Sequence, residues 1–292
     1  MARPPRIEFP GAVYHVSSHC LPGVRAFADD DDRAAFVQLL AQTMQRFDAQ
    51  VLAYCLARQD FQLLLFTRQA NLSRLMRHLN GVYTQHHNRR HGSGGALFQG
   101  RFKAILVDRE ALLLDVCRHV ELTPQRELGV AQLADWPWSS YRAHAGLDEA
   151  PAWLDVEGLH GFVLGRPARG AADQRRAGER YAKLLASEPD LDLWTGRLRQ
   201  QIFLGDAAFV ARTLAAAGAT RTGTARPAKR GRKASGSWND WLQDSSSREQ
   251  ALYRAHTEGG LSMTVLAATL GLSVSRISRL IAGYEQSLEA AA

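Results

Sequence analysis

The chain has 292 residues, 46% of them hydrophobic, and 36 Lys and Arg against 29 Asp and Glu give a formal net charge of +7. That apolar content excludes an intrinsically disordered chain, and the basic balance, with a pI of about 9.7, favours an anionic partner, nucleic acid or a membrane surface. No apolar run reaches the roughly 18 residues that span a bilayer. The first residues, MARPPRIEFPG, carry charge without an apolar stretch, so no signal peptide is expected. Cys20, Cys55 and Cys117 are odd in number and far apart. They fit buried, reduced thiols of a cytoplasmic protein rather than a disulfide framework or a metal knuckle.

In chain order, Ala12–Ser18 alternates as a strand after the Pro10-Gly11 turn. Four acids, Asp29 to Asp32, open a helix whose apolar residues Phe36, Leu39, Leu40, Met44 and Phe47 recur at helical spacing. Two short apolar runs, 51–57 and 61–67, read as paired strands. Asp60 and Gln62 lie two residues apart and therefore point to one face. Asn71 or Ser73 is placed to cap a helix running to about His91, which Gly92 ends. Phe102–Val107 reads as a further strand, and Arg109–Glu121 as a helix ending before Thr123-Pro124. This order predicts an α+β domain with an antiparallel sheet and helices on one face.

After about residue 147 the pattern changes. Residues 148–219 read as a helical extension with scattered Trp and Phe. Thr220–Ser237 holds six Lys or Arg, no acid and no apolar residue larger than alanine, the composition of a flexible basic linker. Residues 238–292 form a small helical unit. Within it, LSMTVLAATLGLSVSRISRLIAGYE (261–285) has helix-turn-helix spacing. Leu266, Ala267 and Leu270 pack the first helix, Gly271 turns, Ser273 or Ser275 caps, and Ile277 and Leu280 pack the second. Ser275, Arg276, Ser278 and Arg279 would then face DNA. A second basic stretch, 80–103, sets Arg89, Arg90, Arg101 and Lys103 among Tyr83, Phe98 and Phe102 around a glycine-rich loop, a composition that suits a nucleic-acid groove.

Residues 6–147 resemble the REP-associated tyrosine transposases, the single-tyrosine branch of the HUH transposases and nucleases. The resemblance lies in RIEFPGAVYHVSS (6–18), the acid-led helix at 29–47, LSRLMRHLNGVYTQHHNRRHG (72–92), LFQGRFKAILV (97–107) and DWPWSSYRAH (135–144). AWLDVEGLHGF (152–162) and LRQQIFLGDAAFVAR (198–212) are similar to the helical extension of long members. The resemblance implies a ferredoxin-like antiparallel sheet that binds hairpin or single-stranded DNA. It also implies a divalent metal held by His-hydrophobic-His on a central strand, a tyrosine nucleophile on a later helix, and a polar residue in an Asn-Pro step. Those positions fall here on Asp60 and Gln62, on His119 and on Thr123.

The residues that do the family's chemistry are thus replaced while the scaffold around them is kept. The expected function is a transposase-like DNA-binding protein without strand cleavage and joining. It would need no cofactor and would act as a monomer or homodimer. Two alternatives stand beside it. One is a single-strand endonuclease with an altered site, in which Asp60 and Gln62 hold Mg²⁺ or Mn²⁺ and His119 takes part. The other is a transcriptional regulator that touches duplex DNA through the C-terminal unit alone.

Overall fold

The structure is a computed structural model that describes residues 7–187, 192–223, 238–259, 261 and 263–289. Two compact units divide it, Met1–Thr220 and Arg221–Ala292. Most of the expected basic linker, residues 224–237, lies outside the described residues.

In the first unit, β1 (Ala12–His19), α1 (Asp30–Phe47), β2 (Ala49–Leu56), β3 (Asp60–Thr67), α2 (Leu72–His91) and β4 (Lys103–Val107) follow one another. The four strands lie side by side as β2-β3-β1-β4, each antiparallel to its neighbour. This is the ferredoxin-like β-α-β-β-α-β arrangement. Local signals start and stop the helices. Asp29 caps α1 by accepting from the Asp32 amide at 3.1 Å, and Gly92 ends α2 with φ of 60°. The cap of α2 differs from expectation. Asn71 donates its side-chain amide to the Phe47 carbonyl at 2.8 Å, and the Ser73 amide donates to the Glu8 carboxylate at 2.9 Å instead. A distant carboxylate thus takes the place of a local cap.

Helices cover both faces of the sheet, not one. On one face α1 and α2 bury Phe36, Leu40, Met44, Leu75 and Leu79 against Tyr14, Val16, Phe61, Leu63 and Leu65. Phe36 centres an aromatic cluster there, 4.7 Å from Phe61 and 5.0 Å from Tyr83 between ring centroids. Each such contact adds about 0.5–1.5 kcal/mol beyond its buried area. On the other face α3 (Arg109–Glu121) packs Leu113, Val116, Cys117 and Val120 on Val13, Ala53 and Leu64. The physical reason is legible in β3: Leu63-Leu64-Leu65 is apolar at consecutive positions, so both faces must be buried.

Beyond α3 come α4 (Thr123–Leu128), which opens on Thr123-Pro124, then α5 (Tyr141–His144), α6 (Val156–Leu164) and α7 (Gly170–Ser187). The expected all-helical extension contains two short strands, β5 (Leu198–Arg199) and β6 (Phe203–Leu204), before α8 (Ala207–Gly223). β6 pairs parallel to β4, so the sheet grows to six strands. The hairpin turn places Gln200 and Gln201 both at positive φ, where Asn and Gly are the usual residues. Its residues therefore give no hairpin signal.

The segment around 136–140 closes the free side of β2. The Leu56 amide donates to the Trp138 carbonyl at 2.9 Å and the Ser140 amide to the Tyr54 carbonyl at 3.0 Å. The Ser140 hydroxyl also donates to Glu121. Glu121 in turn accepts from His144 Nδ1 at 2.6 Å, with both side chains fully buried. An exposed strand edge is thereby removed.

The second unit holds α9 (Trp238–Gln243), α10 (Arg248–Thr257), α11 (Met263–Leu270) and α12 (Val274–Glu289). Leu266, Ala267, Ile277 and Ile281 are buried together with Leu252 and Ala255, and Leu270 and Leu280 pack partly against them. Gly271 turns at φ of 64°, and Ser273 caps α12 by accepting from the Arg276 amide.

Candidate functional site

Antiparallel pairing of β1 with β3 brings His19 opposite Asp60 and Ser17 opposite Gln62. Period-two alternation then puts His15, Ser17, His19, Asp60 and Gln62 on one face, at the end of the sheet where β1 stops and β3 starts. α3 and α4 cross the same face and deliver His119 and Thr123. The four positions singled out in the sequence thus come from three elements to one end of the sheet.

Gln62, Thr123 and His119 are linked to one another, and Asp60 pairs with a histidine of β1. Gln62 Oε1 accepts from His15 Nε2 at 3.1 Å, and its Nε2 donates to Thr123 Oγ1 at 3.3 Å. Arg126 donates to Thr123 Oγ1 at 3.0 Å and to the His119 carbonyl at 3.1 Å. Asp60 is buried and pairs with His19 Nδ1 at 2.9 Å, while the His19 side chain stays 49% exposed. Trp194, from the loop before β5, sits over the cluster, 5.5 Å from the His15 ring and 5.1 Å from the His119 ring. His15, His19, Arg126 and Trp194 were not picked out in the sequence. His15 and His19 do carry a signal, since they stand on β1 at the same two-residue period as Ser17. Nothing local marks Trp194.

Burial sets the electrostatics. It pushes the His15 imidazolium down to about 4 and that of His119 to about 3, with Arg126 adding in the same direction. Both rings are neutral at pH 7. Burial raises the Asp60 carboxyl to about 6, against the opposing pull of His19.

A cavity of about 320 Å³ opens beside the cluster, lined by Ser17, Ser18, His19, Phe98, Gln99, Gly100, Arg101, Phe102 and Lys103. Arg101 and Lys103 are exposed, and Lys103 pairs with Ser17 across the strands. Arg89 is also exposed. Arg90 is committed elsewhere: its guanidinium meets Asp29 at 2.7 Å, Asp32 at 2.5 Å and Asp31 at 3.1 Å. The interleaved aromatics are core residues. Tyr83, Phe98 and Phe102 are buried, and the Tyr83 hydroxyl donates to the Ala26 carbonyl at 2.7 Å, so open stacking platforms are not what they provide. In the second unit Arg276, Ser278 and Arg279 are exposed on α12, and the side chain of Ser275 lies outside the described ones. Among the described residues no helix is long and apolar enough to cross a membrane.

No family model matches the chain, and no curated protein does. Among solved structures it is similar to a REP-associated tyrosine transposase bound to a REP hairpin, at 12% sequence identity and a TM-score of 0.44, over 53% of this chain and 94% of that one.

Proposed function

We propose that this chain is a transposase-derived DNA-binding protein that takes hairpin or single-stranded DNA at the cavity end of its sheet, without cleaving and joining strands. The observation that carries the reading is the cavity itself. Arg101 and Lys103 flank Ser17, His19 and Gln99, a set that can meet phosphate oxygens with charge and bases with polar groups. The loss of cleavage rests on the donors next to it. Gln62 has its oxygen on His15 and its amide on Thr123, and Asp60 has its carboxylate on His19. The two side chains that would face a metal are thus turned to protein partners, and the pair of imidazoles that the resemblance implies on this strand is not present. The position of the attacking tyrosine is occupied by His119. The arginines of α12, Arg276 and Arg279, are the surface offered to duplex DNA in the second unit.

Hairpin DNA is expected to bind with an affinity that falls steeply with salt. Arg101→Ala with Lys103→Ala should flatten the slope of log K against log salt by about 2, since each cation that neutralises a phosphate accounts for about one. An unchanged slope in the double variant removes the cavity from the binding surface, and unchanged affinity on Arg276→Ala with Arg279→Ala would remove α12.

One observation favours a second reading, an altered endonuclease. A buried carboxylate bonded to Nδ1 of a half-exposed histidine at the rim of a cavity orients the ring, and its Nε2 can then accept a proton. Incubation of hairpin single-stranded DNA with Mn²⁺ separates the two readings. Intact substrate is expected. Cleavage that disappears on His19→Ala, or a covalent adduct that disappears on His119→Ala, would establish the endonuclease instead.

A further inference from the structure

A second polar cluster lies on the opposite face of the sheet from the first, where α1 begins and α2 ends. Asp32, His87 and His91 each offer one ligand atom there, and the three atoms lie within 4.8 Å of one another. His87 and His91 stand one helical turn apart on α2, with ring centroids 4.4 Å apart. Asp32 is fully buried in the first turn of α1. Its carboxylate oxygens are 3.0 Å from His91 Nε2.

A structural clamp between helix ends explains part of this arrangement. Arg90 and the Ala28 amide hold the Asp32 carboxylate, the amide at 2.9 Å. It does not explain His87. That ring is 6% exposed, and its Nε2 faces the Arg25 carbonyl at 3.1 Å. A carbonyl can only accept, so Nε2 carries the proton and Nδ1 is left as a lone pair. Nδ1 is buried and has no hydrogen-bond partner. A buried acceptor without a donor is costly, and a cation removes that cost. A histidine whose far nitrogen is fixed by a backbone carbonyl, with its near lone pair unused, has the tautomer a metal ligand needs. The surrounding charge agrees. Four carboxylates, Asp29, Asp30, Asp31 and Asp32, meet the two guanidiniums of Arg33 and Arg90.

We propose that His87 Nδ1, His91 Nε2 and one Asp32 oxygen form a binding site for a divalent transition metal of the Zn²⁺ class. Two imidazoles and one carboxylate select such an ion over Mg²⁺ or Ca²⁺, which prefer all-oxygen sets. The ion takes the place of the proton between His91 Nε2 and Asp32, and His91 passes to its Nδ1–H tautomer. Ligand distances of roughly 2.0–2.2 Å require the three atoms to close in slightly. The Ala28 amide and Arg90 hold the carboxylate, and Arg90 Nη1, 3.5 Å from His91 Nε2, moves off that nitrogen as the ion enters. The exposed side of His91 leaves the fourth position to water. The ion would fasten the α1 start and the α2 end to the 25–28 loop, whose Arg25 carbonyl and Ala28 amide already contact the ligands.

The test uses the full chain stripped with a chelator and titrated with Zn²⁺, with Co²⁺ as the spectroscopic probe. One Zn²⁺ per chain is expected, raising the unfolding temperature, and Co²⁺ should give a visible ligand-field absorption. His91→Gln keeps a donor for Asp32 and so preserves the fold, while His87→Gln replaces the imidazole nitrogen with an amide, a poor ligand for Zn²⁺. Each should weaken Zn²⁺ by more than the roughly 10- to 100-fold that loss of a supporting hydrogen bond costs. Each should also abolish the Co²⁺ band with the far-ultraviolet dichroism unchanged. Absence of saturable Zn²⁺ binding overturns the site. So does binding that survives both variants, including binding lost instead on His119→Ala.

Discussion

His144→Ala is expected to destabilise the first unit by about 3–5 kcal/mol, the cost of leaving one member of a buried polar pair alone. His144 and Glu121 are both fully buried and 2.6 Å apart. The same Glu121 oxygen accepts from Ser140, whose hydroxyl oxygen accepts from the Tyr54 amide at 2.9 Å. Removing the imidazole takes one of its donors from a Glu121 side chain that is fully buried and leaves a cavity beside it. The loss is specific to breaking the pair. Replacing both members, Glu121→Met with His144→Leu, should recover most of the stability, because apolar packing of similar volume substitutes well for a buried pair. Denaturant midpoints of the two single variants and the double variant measure this directly. Single variants costing under about 1 kcal/mol would show that the 136–144 segment is held by its backbone bonds to β2 alone.

The sheet-end cluster gives the second large effect, in the pH dependence of stability. His15 and His119 have folded-state values depressed to about 4 and about 3. Their contribution is present above the ordinary histidine value of about 6.5 and is lost as pH falls through the folded values. Asp60 works in the other sense. Its folded value is raised from 3.8 to about 6, so its contribution is full below 3.8 and is lost as pH rises through 6. Between pH 6 and 4 the carboxyl therefore offsets part of the histidine loss. Asp60→Asn removes that offset. Relative to the unsubstituted chain, the variant should be more stable at pH 7.5 than at pH 4.5 by about 2 kcal/mol, since each unit of pKa shift corresponds to about 1.4 kcal/mol. Unfolding free energies of both chains across pH 4 to 8 test this. Parallel curves would mean that Asp60 ionises freely beside His19.

Local sequence was sufficient wherever one element's own side chains set its state. Asp29 and the acids after it start α1, Gly92 ends α2, and the Thr123-Pro124 step ends α3. The apolar period of each segment gave the β-α-β-β-α-β order, and the two-residue spacing of Asp60 and Gln62 put both on one face, as the two packed faces of β3 bear out. Local sequence was insufficient where the partner lies far along the chain. Glu8 caps α2 from 65 residues away. Trp194 covers His15 and His119 from a segment whose Gln200-Gln201 turn carries no hairpin signature. The role of Arg90 depended on the same distance effect: beside two other arginines and a glycine loop it reads as a phosphate contact, yet Asp29, Asp31 and Asp32 hold it.

The sequence by itself determined the order of the elements and the basic character, and it singled out Asp60, Gln62, His119 and Thr123. Only the tertiary structure decided what those residues meet. Register between β1 and β3 pairs Asp60 with His19, and the crossing of α3 and α4 ties Gln62 to Thr123. Burial then fixes the protonation of the histidines. These are consequences of packing elements that lie tens of residues apart, and no short window of sequence contains both partners.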